Sequence, residues 1–301
     1  MIVQRGARTA RDGFVLVAVL WILSAFAALA AIYSIYVANT AVAVAGSDDA
    51  IEAEALMSAS LELTAYQLID MPEESRPTRG AFNFRLGRAN VAVEFCSEAA
   101  RIDLNEAPKE LLSGLFVALG AQQDEAAQYA DRIIGWRTRP KSGAQDAEAS
   151  LYRAAGLAYL PRGAPFDHVG ELWLVLGLPP GLAERALPHV TVFSGQDQVN
   201  IRDAAPEVLA AIPGMAPGIA SGAPTGAGRA AAARLAAQQF DGAETSAATR
   251  VTTRVSFDNG RRIAFEAVIL LGDASEPFRV LSWRADIDAP PILAFRTGFQ
   301  R

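Results

Sequence analysis

Few side chains in this sequence have the chemistry of a reactive site, and they stand apart from one another. Cys96 is the only cysteine among 301 residues, so neither an intramolecular disulfide nor a multi-cysteine metal site can form. It lies in the alternating stretch 90–97 and reads as a small buried hydrophobe. The histidines, His168 and His189, are far apart and lack a helical partner at metal-ligand spacing. No nucleophile elbow, P-loop, zinc-binding helix or dinucleotide fingerprint occurs, and the scattered carboxylates have no spacing that demands catalysis. These residue types point away from an enzyme, and the scattered carboxylates read as solvated surface. A formal charge of -6 and a pI near 5.1 also argue against a phosphate-binding face.

The elements that position these residues begin with an apolar run. From Phe14 to Tyr36 the chain is uncharged, and as a helix that run covers roughly 35 Å, enough to span a bilayer. Arg5, Arg8, Arg11 and Asp12 precede it, and the next charge is Asp48. The basic flank assigns residues 1–13 to the cytoplasm and the rest of the chain to the far side. A secretory signal core is shorter, and the small-residue site Ala43-Val44-Ala45 lies far downstream of one. A plain uncleaved anchor is a further alternative.

Residues 37–70 lack proline. Ile51, Ala55, Leu56, Leu63, Tyr66 and Ile69 fall near one helical face, with Asp48, Asp49, Glu52 and Glu54 on a wet one. One helix over 14–70 is therefore expected, although Gly46 weakens it and a separate helix after Gly46-Ser47 is the alternative. Residues 71–104 hold two half-buried strands, 81–86 and 89–96, turned at Gly87-Arg88. Residues 249–301 hold a strand pair over 249–271 and a third strand over 279–285. For the pair, a three-residue loop Asp258–Gly260 sets Val255 opposite Ile263, Thr253 opposite Phe265 and Val251 opposite Ala267, with Gly260 left-handed.

Between the strand groups, residues 105–248 read as helical, with helices expected at 107–119, 122–136, 168–176, 181–187, 206–212 and 227–240. The fold class is α+β: a long N-terminal helix and an antiparallel sheet with a helical domain inserted in it. Within that insert, residues 102–112 align without gaps on 199–209. Each copy offers a polar cap, Asn105 or Asp203, and a proline in the first helical turn.

Several of these features resemble known families. The basic leader ending at Gly13 before Phe14 resembles a type IV prepilin signal. This implies cleavage by prepilin peptidase between Gly13 and Phe14, with N-methylation of Phe14. The family's usual glutamate at the fifth mature position is here Ala18. The missing glutamate, the helical insert, the two lead-ins to "N-T-A-P"-like turns, the stretch Phe166–Leu178 with its "E-L-x-x-V-x-G" pattern and Val280–Trp283 together resemble the minor pseudopilin K of type II secretion. In two places the chain departs from the pattern: Glu106 replaces a threonine and Arg202 an asparagine.

The resemblance implies a single-pass inner-membrane protein with a periplasmic C-terminal domain, a type IV pilin-like fold and an insert of the SAM-like or helix-hairpin-helix-like kind. It further implies a place at the pseudopilus tip, minor pseudopilins I and J as partners, and support of protein export across the outer membrane. Relatives bind calcium through an acidic loop after a tryptophan. Here Trp136 is followed by Arg137, Thr138 and Arg139, which together with Lys141 repel a cation, leaving Asp146 and Glu148 as weak candidates. No other cofactor is expected. The rival reading, a membrane-anchored DNA-binding protein of a competence or DNA-uptake system, comes from Leu178-Pro-Pro-Gly181 and Ile212-Pro-Gly214, which resemble the hairpins of helix-hairpin-helix DNA-binding modules but lack a basic stripe.

Overall fold

The computed structural model describes residues 9–72, 75–140, 147–213, 246–273 and 275–286. The chain forms two compact units, Met1–Leu56 and Met57–Arg301, and helix α1, Thr9–Ile69, contributes residues to both. The helix continues through Gly46, so the separate second helix is not formed: one glycine costs only about 1 kcal/mol in a helix with strong formers on both sides. In the first unit, Leu16–Val37 is a 22-residue stretch of mean hydropathy 2.4, none of it buried. It is long and apolar enough to cross a membrane. Within it Ser24 donates to the Trp21 carbonyl, and Thr40, just beyond, donates to that of Tyr36.

In the second unit the last turns of α1 bury Met57, Ser60, Leu61, Thr64, Ala65 and Leu68. This corrects the expected face. Of the six residues predicted for it only Leu56 is buried, while Ile51 and Tyr66 are each 69% exposed. Both sets recur at helical spacing, so spacing alone does not choose between them.

The sheet has five antiparallel strands in the order β1-β2-β5-β6-β7: β1 Arg79–Leu86, β2 Ala89–Ser97, β5 Ala248–Phe257, β6 Arg262–Leu271 and β7 Phe278–Asp286. The predicted hairpin register holds, with Val255 opposite Ile263, Thr253 opposite Phe265 and Val251 opposite Ala267. Gly260 has φ +86°, and its N–H donates to the Phe257 carbonyl while the Phe257 N–H donates to Arg261. Alternate residues of β2, β5 and β6 make one buried face. Leu68 lines a small pocket together with Ser97, Thr249 and Leu271 at one end of the sheet.

The chain leaves the sheet at Ser97 and returns at Ala248. Between lie β3 (Ile102–Asp103), α2 (Lys109–Ala118), α3 (Gln123–Arg137), α4 (Ala147–Ala154), α5 (Pro180–Ala186), β4 (Val190–Thr191) and α6 (Pro206–Ala211). Ile102, Leu104, Leu112, Leu115, Phe116, Ile133, Tyr152, Leu172 and Val208 are buried in one core. Gly114 permits the close crossing of α2 over α6, since a Cβ there would lie 2.1 Å from the Ala211 carbonyl oxygen. Sequence periodicity did not predict α4 or the two-residue parallel β3–β4 ladder, and Val169–Leu174 is a 3-10 helix rather than an α-helix. The helix expected at 227–240 lies outside the described residues.

The internal repeat survives as a repeated hydrogen-bond pattern. The Asn105 N–H donates to the Asp103 carboxylate (2.8 Å) and the Ala107 N–H to the Asp103 carbonyl. At aligned positions, the Arg202 N–H donates to the Asn200 side chain (3.0 Å) and the Ala204 N–H to the Asn200 carbonyl. The predicted caps are corrected. Pro108 and Ala205, themselves aligned, occupy the cap positions of α2 and α6. Asn105 instead pins Phe166, accepting from its N–H and donating to its carbonyl, and Asp203 accepts from Thr78. Both side chains are committed to tertiary partners rather than to the local helix end.

Candidate functional site

Two regions hold the groups on which an assembly function would depend: the amino-terminal helix and the junction between sheet and helical segment. Gly13 and Phe14 both lie within α1, and Ala18 is a half-buried residue of its apolar stretch. An unpaired carboxylate there costs several kcal/mol, at least about 2.5 on insertion scales. On the last turns of the helix, Leu63 and Tyr66 remain exposed beside the buried stripe.

The junction centres on Glu98, which is fully buried just after β2. Arg250 on β5 grips its carboxylate with two nitrogens, Nε at 2.7 Å and a terminal nitrogen at 3.0 Å, and reaches Glu266 on β6 at 2.5 Å. Thr191 on β4 donates to Oε2, the oxygen that also accepts from the terminal nitrogen of Arg250, and Arg101 stands 3.9 Å from Oε1. Burial opposes the charge on Arg250, but the hydrogen bonds and charge of Glu98 more than offset it and raise the pKa. Arg101 moves the opposite way, lowered by burial and by repulsion from Arg250. Beside this network the Asn200 N–H donates to the Ala99 carbonyl at 2.7 Å. Sequence reasoning missed Glu98, Thr191 and Arg250, because partners 93 and 152 residues apart leave no local pattern.

A second network holds the loop before α5. Glu171, singled out in the sequence, accepts from the Trp136 indole N–H (2.9 Å), from Arg162 (3.0 Å) and from the Asp167 N–H (3.0 Å). Arg137, expected to repel a cation, donates to the carbonyls of Leu104 (2.5 Å) and Ala107 (2.8 Å), and burial lowers its pKa. Of the calcium candidates, Glu148 is paired with Arg132 at 2.8 Å and Asp146 lies outside the described residues. Among the described residues no three His, Cys, Asp or Glu side chains gather into a metal site.

Cys96 is half-buried, and burial raises its thiol pKa. Burial likewise lowers the pKa of His189, while His168 accepts from the Gly170 N–H as a local cap. The first suggested hairpin, 178–181, leads into α5, a helix of seven residues, and Gly214 of the second lies outside the described residues.

Residues 89–195 match the family model described as Type II secretion system (T2SS), protein K. No curated protein sequence matches the chain. The fold is similar to a chain in the crystal structure of the GspK-GspI-GspJ complex from the enterotoxigenic Escherichia coli type 2 secretion system. The TM-score is 0.55 at 14% identity, covering 80% of this chain and 98% of that one. The sequence match covers residues 89–195 and the structural likeness is one of fold; neither supports the DNA-uptake alternative.

Proposed function

We propose that this chain, which carries the protein K sequence pattern over residues 89–195, is a non-enzymatic subunit at the tip of the type II secretion pseudopilus. The observation that carries this reading is α1, one unbroken helix from an exposed apolar stretch of membrane-spanning length into the sheet-bearing unit. Such a helix can hold a subunit in the inner membrane before assembly and pack among neighbouring helices after it. Exposed Leu63 and Tyr66 suit that lateral packing with the I and J minor pseudopilins. The sheet-bearing unit faces the periplasm, and its helical segment between Ser97 and Ala248 acts as bulk that stops a further subunit stacking above it. Ala18 fits the tip, since a terminal subunit has no neighbour above whose amine a carboxylate there would pair.

Mass spectrometry of the mature protein from a host with prepilin peptidase tests the reading. A start at N-methylated Phe14 is the expected result. An uncleaved chain, or one starting at Gly46, removes the pilin assignment.

A further inference from the structure

The two edge strands of the sheet are not alike. In β7, Val268 pairs with Ser282 and Ile269 with Val280, so Leu281 is an extra residue, a bulge that interrupts the outer edge. By contrast, β1 pairs with β2 in unbroken register from Arg79 to Leu86. Which of its backbone groups face outward follows from one bond. The Ser97 N–H donates to the Thr78 carbonyl directly opposite, which makes these two a hydrogen-bonded pair, and such pairs alternate along an antiparallel ladder. Gly80, Phe82, Phe84 and Leu86 therefore turn their N–H and C=O toward β2, while those of Arg79, Ala81, Asn83 and Arg85 point off the edge. No described residue hydrogen-bonds these outward groups, and all four residues are exposed.

The side chains of β1 set what this edge can take. Phe82 and Phe84, opposite buried Val93 and Val91, are themselves only half-buried and stack at 6.3 Å. In the next row the Phe95 ring fills the place of a Cβ at Gly80. On the other face stand Arg79 and Arg85, with no acid between them. Arg79 makes no ion pair with a described residue, and Arg85 contacts Asp258 at 3.4 Å with both side chains more than half exposed. Glu94, opposite Ala81, is held by Arg254, and Asp203 by Thr78. A second copy of β1 would bring two more arginines to this edge and no acid. We propose that the outer edge of β1 takes an extended segment of a partner protein as a sixth, antiparallel strand, with acids opposite Arg79 and Arg85 and apolar residues opposite Phe82 and Phe84. Backbone hydrogen bonds supply the affinity of such an addition, and the cross-strand pairs select the sequence.

The probe is a dye-labelled peptide, Glu-Val-Thr-Val-Thr-Val-Glu, titrated by fluorescence anisotropy against the full chain in neutral detergent micelles. It should bind, and the same peptide with lysine in place of both glutamates should bind about ten-fold more weakly. N-methylation of the two threonines, whose N–H groups face β1 in this register, should abolish binding. N-methylation of the valines, whose N–H groups face away, should leave it intact. Arg79→Gln and Arg85→Gln should each weaken binding about two- to five-fold, and Arg79→Glu/Arg85→Glu should prefer the lysine peptide. Ala81→Pro removes an outward N–H and no ladder bond, so it should abolish binding while the thermal transition of the sheet remains.

Binding that survives threonine N-methylation overturns the proposal. So does equal affinity for the glutamate and lysine peptides, or an edge that takes neither at millimolar concentration. A parent that is dimeric by light scattering but monomeric as Ala81→Pro holds a second copy on this edge, and that result also overturns it.

Discussion

At the residue scale, Glu98 carries more of the structure than any group the sequence singled out. A fully buried carboxylate is tolerable only with strong partners, and Arg250 and Thr191 supply them from two separate elements. Glu98→Ala leaves Arg250 buried with one acidic partner fewer and should lower stability by about 3–5 kcal/mol in a urea melt. The double variant Glu98→Ala/Arg250→Met should recover part of that loss, because it removes the uncompensated cation as well.

Tyr152 is the second residue with a measurable signature. Burial pushes its phenol up to about 12, with the Leu176 N–H donated to its oxygen offsetting part of the shift. The folded state therefore holds the proton longer than the unfolded chain. The resulting stabilisation is complete below about pH 10 and fades as the pH rises toward about 12, a change on the order of 2–3 kcal/mol. Stability of Tyr152→Phe measured across the same window should show a shallower decline than the parent.

At the element scale, the β5–β6 hairpin and α1 make opposite points. The hairpin is locally specified: Asp258-Asn259-Gly260 and the alternation of its flanks admit one register with apolar rows aligned, and that register forms. At Gly260 nothing lies within 4 Å of an added Cβ, so Gly260→Ala reports the cost of φ +86° alone. A loss of about 1–2 kcal/mol is expected by thermal unfolding, with the sheet intact. The last turns of α1 were ambiguous by contrast. Two stripes with helical spacing compete there, and the choice between Met57, Leu61 and Leu68 on one side and Leu63 and Tyr66 on the other depends on a sheet that begins at Arg79.

At the scale of the whole molecule, the sheet and the helical segment are tied by more than the chain. Glu98 with Arg250 and Thr78 with Asp203 cross between them, and Thr191 and Asn200 hold residues 98–99 from the helical side. The two parts should therefore unfold together. Fluorescence of Trp283 on β7 and of Trp136 in α3, each followed with the other tryptophans replaced by phenylalanine, should give coincident transitions. In Glu98→Ala/Arg250→Met the two transitions should separate. Coincidence in that variant would mean that the buried pair is not what couples them.

The sequence by itself determined what local chemistry can encode: an apolar run of membrane length, strand alternation, the glycine-governed hairpin and the repeated lead-ins at 102–112 and 199–209. Each depends on residues within a few positions of one another, where backbone geometry and side-chain periodicity leave a single economical answer. Only the tertiary structure decided which stripe of α1 is buried, that Asn105 and Asp203 leave their helix ends for Phe166 and Thr78, and that Glu98 finds Arg250 across 152 residues. The physical reason is the same in each case. A polar or apolar side chain takes the partner that burial demands, and for these residues that partner is supplied by a distant part of the chain.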